Sequence, residues 1–125
     1  MPHPETPDAF ARGRALFDAG SFFEAHEVWE EAWLRETGSA RQLLQGLIQV
    51  AAALHKISRS EHPRGAVRLL DAGLGRLEGI GEAGLGVDLA AFSAGVRCCR
   101  AAAEAWAEGR SPVPPPGAWP KLGRP

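Results

Sequence analysis

Gly20 to Trp33 reads GSFFEAHEVWEEAW, and the spacing of its apolar residues decides the fold. At about 100° per residue, Phe22, Ala25, His26, Trp29, Ala32 and Trp33 share one face of a helix. Glu30 falls at one edge, and Glu27 lies beyond it beside Phe23 and Leu34. Glu24 and Glu31 take the opposite, solvated side. The stretch is therefore an amphipathic helix with an imidazole inside its apolar stripe. Ser21-Phe22-Phe23-Glu24 has the S-x-x-E form of a capping box, in which hydroxyl and carboxylate satisfy each other's backbone donors. That places the helix start at Ser21, gives Glu24 a capping role, and carries the helix to about Thr37-Gly38.

The stretch built to lie against it is LLQGLIQVAAALHK, Leu43 to Lys56. Ser39-Ala40-Arg41-Gln42 repeats the capping device as S-x-x-Q, and Leu44, Leu47, Ile48, Ala51 and Leu54 then form one apolar stripe. This third helix is expected to be the most buried. Upstream, Thr6-Pro7 supplies a cap and first helical position for helix one, with Phe10, Gly13, Leu16 and Phe17 at helical spacing until Gly20. Downstream, His62-Pro63 opens a fourth helix on which Ala66, Leu69, Leu70, Leu74 and Leu77 keep the period. Its Gly73, Gly75 and Gly79 each cost about 1 kcal/mol against alanine, which makes it the weakest helix. Asp88 is the N-cap of a fifth, with Leu89, Phe92, Val96, Cys99, Ala103 and Trp106 alternating three and four apart.

Between helices four and five, Gly79 to Gly84 matches G-x-G-x-x-G, but it follows a helix instead of a strand and reads as a flexible connection. From Arg110, RSPVPPPGAWPKLGRP cannot form regular structure, because its prolines fix φ and remove donors. It reads as a solvated tail, with Trp119 able to touch the body. No stretch alternates with period two over strand length. The expectation is all-α: a compact multihelical bundle of about five helices around a central antiparallel pair, with a single domain over residues 1–109 and a Pro-rich tail over 110–125.

The whole chain agrees with this. Its 125 residues suit one core, and 45% hydrophobic and 23% charged residues with a formal net charge of -1 are ordinary for a globular protein. Neither nucleic acid nor a membrane surface is implied as a partner. The N-terminal MPHPETPD has no positive n-region and no apolar h-region, and no apolar run approaches the roughly 20 residues of a membrane span, so a cytoplasmic location is expected. The only cysteines, Cys98 and Cys99, are adjacent, which suits helix packing better than a metal knuckle or a staple.

The chemistry concentrates on helices two and three. His55 lies eleven positions after Leu44, in line with Leu44, Ile48 and Ala51, so a second imidazole is expected to face the core. Gln45 and Gln49, one turn apart, edge the same stripe. Burying these groups unpaired costs a few kcal/mol, so they are expected to meet: His26 with Glu30 or Glu27, and His55 with Gln45, Gln49 or a helix-two carboxylate. Neutral imidazole with carboxylate also serves metal binding and proton transfer, for which His26, Glu30 and His55 are the ligand set to consider for a divalent metal. His26-Glu27-Val28-Trp29-Glu30 is H-E-x-x-E, one residue from the zinc-protease H-E-x-x-H, and that mismatch sets protease chemistry aside. No E-x-x-H ends at His26 or His55, which disfavours a ferritin-like diiron site.

Phe23 to Trp33, FEAHEVWEEAW, followed by LLQGLIQVAAALHK and by RGAVRLL from Arg64 to Leu70, resembles a small all-α bacterial and archaeal family, the domain of unknown function numbered 309. The resemblance covers roughly residues 10–77 and implies a compact multihelical domain. It implies that His26, Glu27, Glu30, Gln45, Gly46, Gln49 and His55 stand at or near the family's signature positions, with no activity attached. More loosely, GSFFEAHEVWEEA is similar to the turn and second helix of a tetratricopeptide hairpin, present in one copy where a solenoid needs about three. Two functional readings follow. One is a non-catalytic structural or interaction protein in which a polar network locks conformation and a protein partner is met. The alternative is a metal-binding protein or small hydrolase-type enzyme with a His/Glu pocket between helices two and three.

Overall fold

The structure, a computed structural model, describes residues 2–81 and 85–123. It contains α1 (Thr6–Asp18), α2 (Phe22–Trp33), α3 (Gly38–Ser58), α4 (Pro63–Leu77) and α5 (Leu89–Ala107), then a single 3-10 turn, Pro116–Ala118. Each helix packs antiparallel on the next. Phe10 and Gly13 meet Trp29, Trp33 lies under Arg41, Gly46 faces Leu77, and Asp71 binds Arg100. Phe17 of α1 reaches Phe92 of α5, with ring centroids 5.8 Å apart, and joins the two ends of the array.

The expected boundaries hold in outline, but the capping chemistry differs. Helix α2 begins after Ser21 and α3 after Thr37, so Ser39, the expected cap, lies inside α3, and neither Ser21 nor Thr37 makes a side-chain cap bond. Glu24 is exposed, and Gln42 accepts instead from Arg76 Nη1 at 3.3 Å. At Ser21 the backbone (φ -86, ψ 67) falls short of the extended conformation that aims a capping hydroxyl at the first turn. Asp88 is the cap that forms, accepting from Ala91 N–H at 3.0 Å. Helix α2 stops at Trp33, short of Thr37-Gly38, and Arg41 of α3 closes its end by donating to the Trp33 and Glu36 carbonyls.

Helix α3 carries two buried stripes where one is expected from Leu44, Leu47, Ile48, Ala51 and Leu54, of which Ile48 is only half-buried. Leu43, Gly46, Val50, Ala53 and Ile57 form the second, so α3 is sandwiched between α2 and α4. Glycines make the second contact close. A Cβ on Gly46 would lie 2.8 Å from Leu77 Cδ2, and one on Gly73 would lie 2.8 Å from Val50 Cγ2 and 3.0 Å from the Gly46 carbonyl. The propensity lost at Gly73 is thus exchanged for backbone approach between α3 and α4. Gly13 serves the same purpose on α1, where a Cβ would overlap the Trp29 indole.

The Pro-rich segment is docked instead of solvated. Trp119 meets Phe22 edge-on at 5.3 Å, and Pro120 packs by Gly95. The Asp18 carboxylate accepts from the N–H groups of Leu122 and Gly123 at 2.8 and 2.9 Å. Of the two cysteines, Cys99 packs in the core as expected, while Cys98 is exposed. The end of the G-x-G-x-x-G stretch, residues 82–84, lies outside the described residues.

Candidate functional site

The face of α2 that enters the core is Phe22, Ala25, Trp29 and Ala32. His26 falls one step outside that stripe, with its side chain 28% exposed. Its Nε2 lies 3.3 Å from Glu30 Oε2, the pairing its spacing predicts. Its Nδ1 is buried and has no partner among the described residues. Glu27 is exposed and takes no part.

His55 of α3 is half-buried at the rim instead of in the core, because α3 turns Leu54 and Ile57 inward on either side of it. Its ring lies 5.6 Å from that of Phe23, and Phe23 stacks on His26 at 6.1 Å. Phe23 is 48% exposed, a large aromatic left in solvent between two imidazoles. These groups line an open cleft of about 170 Å³ between α2 and α3, floored by Phe22 and Ala52 and bounded by Lys56.

The expected companions of His55 are not there. Gln45 and Gln49 are half-buried on α3, and Gln49 Oε1 is buried without a partner among the described residues. His26, Glu30 and His55 are not gathered into a ligand set either. Among the described residues no three His, Cys, Asp or Glu side chains stand close enough to share a metal ion. The cleft therefore joins two imidazoles through an aromatic ring, with one carboxylate at its edge.

A network that locks the fold does exist, on a residue the sequence does not signal. Glu36, 3% exposed, follows α2. Its Oε2 accepts from Thr6 Oγ1 and from His3 N–H, both at 2.6 Å, and its Oε1 accepts from Thr37 N–H at 3.3 Å. Burial pushes its pKa up, but the Thr6 hydroxyl, the two N–H groups and nearby His3 outweigh burial and hold the carboxyl below its ordinary value. Thr6, read from sequence as a cap, is fully buried inside α1 and is spent on this bond. No local spacing could have shown this, because the partners are 30 and 33 residues apart in sequence.

The other missed feature is on α4. Arg64 and Arg68 are exposed on α4, and with Lys56 of α3 they line an open cleft of about 780 Å³. The i, i+4 pair of arginines was the available signal.

Fold and cleft together define a small helical-bundle protein with a solvent-open aromatic and imidazole cleft on one face. Residues 10–69 match the family described as domain of unknown function 309 (DUF309), and the chain belongs to it. The match ends eight residues before the 10–77 span expected from the motifs. In fold, the chain is similar to the crystal structure of a conserved hypothetical protein from Thermus thermophilus. The TM-score is 0.63 at 38% identity, over 74% of this chain and 95% of that one. No curated protein matches this chain. No helix among the described residues is long and apolar enough to cross a membrane.

Proposed function

We propose that the chain is a non-catalytic interaction module whose cleft between α2 and α3 receives an apolar or aromatic side chain of a protein partner. The observation that carries this is Phe23, half exposed and held between His26 and His55 over an apolar floor. Aromatic groups held at the centre of a contact patch supply most of its affinity, and polar groups around them set orientation. We also place the protein in the cytoplasm, a reading supported by two cysteines that form no disulfide.

The test is an NMR titration with short peptides carrying Trp, Phe or Leu. Saturable shifts should appear at Phe22, Phe23, Ala52 and His55. Replacing Phe23 by Ser should abolish them without changing the melting temperature. Shifts elsewhere, or none at millimolar peptide, would refute the assignment.

A further inference from the structure

The cleft on α4 is lined by Lys56, Arg64 and Arg68, with Leu69, Ala72 and Ala107 as an apolar wall. None of the three cations has a carboxylate within 4 Å among the described residues. Several acids of the adjoining segments are held by other cations. Asp71 and Glu104 are bound by Arg100, Glu108 by Arg110, and Glu61 by Arg59 with His62 alongside. Arg64 and Arg68 also line a smaller pocket with Glu104 and Glu108, and after Arg110, Arg64 is among the cations that lower the Glu108 pKa.

The backbone adds donors at the same place. Helix α4 starts with Pro63 and has no side-chain cap. Among the described residues, the N–H groups of Arg64 and Gly65 have no acceptor. The stem of Lys56 passes Gly65, its Cε 3.7 Å from where a Cβ would stand. On a chain of net charge -1, Lys56, Arg64 and Arg68 line one cleft together with the open N–H groups of Arg64 and Gly65 and an apolar wall.

We propose that this cleft binds a phosphorylated small molecule of nucleotide size, its phosphates between Lys56, Arg64 and Arg68 and its less polar body against Leu69, Ala72 and Ala107. Guanidinium forks and free amide donors match phosphate oxygens. The volume falls in the usual range of small-molecule clefts. This site is separate from the α2–α3 cleft, and Lys56 is the one residue that borders both.

The experiment is an NMR titration of the intact chain with ADP, with adenosine and inorganic phosphate as the halves, and with a short single-stranded oligonucleotide. The proposal expects ADP to move the Arg64 and Gly65 amides saturably and to bind at least about tenfold tighter than either half. Arg64→Glu and Arg68→Glu should each weaken ADP by about tenfold or more, with melting temperatures unchanged because both side chains are exposed. Absence of a saturable shift, equal ADP affinity in the two variants, phosphate binding as tightly as ADP, or tighter binding of the oligonucleotide would each overturn it.

Discussion

Helix α2 has a polar centre at each end, and the two are built in opposite ways. Beyond its C-terminus, Glu36 is sealed from solvent and its carboxylate accepts from Thr6, His3 and Thr37. Near its N-terminus, His26 is partly open, touches one exposed carboxylate, and leaves Nδ1 unpartnered among the described residues. A buried charge with all its hydrogen bonds made ties segments together and is costly to disturb. A half-open side chain paired with one exposed carboxylate contributes little to the fold. The contrast sets Glu36 in the role of holding the fold, and it is the ground on which we propose His26, with Phe23 and His55, for recognition.

The largest expected effect is at the sealed centre. Glu36→Ala leaves the Thr6 hydroxyl and the His3 N–H without an acceptor, and should cost about 3–5 kcal/mol in a denaturant melt. If it costs under about 1 kcal/mol, the network does not hold α1 to the end of α2.

Next is the docked tail, whose Trp119 packs on Phe22, a residue that also lines the open cleft. Trp119→Ala should cost about 1–2 kcal/mol, less than deletion of a fully buried aromatic because the ring is only half-buried. No change in the melt would mean that the strap contributes nothing.

Acid should act through Glu36 as well. Its folded pKa lies below the ordinary 4.5, so the unfolded chain binds the proton more readily. The stabilisation is fully present above the ordinary value and is lost as pH falls through the depressed one. Glu36→Gln should flatten that acid limb of stability, measured by melts between about pH 2 and pH 6. An unchanged slope in the variant would assign the acid sensitivity to other carboxylates.

The thiols repeat the contrast on a smaller scale. Burial, and then the neighbouring Cys98, push the Cys99 thiol up to about 11, whereas Cys98 is exposed. A thiol reagent should label Cys98 promptly in the native protein and Cys99 only after denaturation. Rapid native labelling of both would show that α5 opens readily.

Much of the fold is legible in the sequence, because amphipathic spacing and helix-stopping glycines are local signals. The seam of α5 is buried from Leu89 to Ala103 as its spacing predicts, its last member, Trp106, is half-buried, and Asp88 caps the helix. Gly73 is harder to read. Its propensity cost is visible from the chain, but its purpose depends on Val50 and Gly46 of another helix. The candidate site was half legible. The pairing of His26 with Glu30 is an i, i+4 relation, and the approach of His55 to α2 follows from the antiparallel pair. Their exposure was not legible, because a helix wheel gives a residue's direction but not where the neighbouring helix ends its cover. Glu36 was invisible for the opposite reason, since nothing within its own stretch distinguishes it from a solvated glutamate.

The most direct measurement is a denaturant melt of the combined variant Phe23→Ser, His26→Ala, His55→Ala, run beside Glu36→Gln. If the cleft is a recognition surface, the combined variant should stay within about 1 kcal/mol of the parent, while Glu36→Gln loses about 2 kcal/mol or more. A loss of more than about 3 kcal/mol in the combined variant would contradict the account, and would make Phe23, His26 and His55 part of what holds α2 to α3.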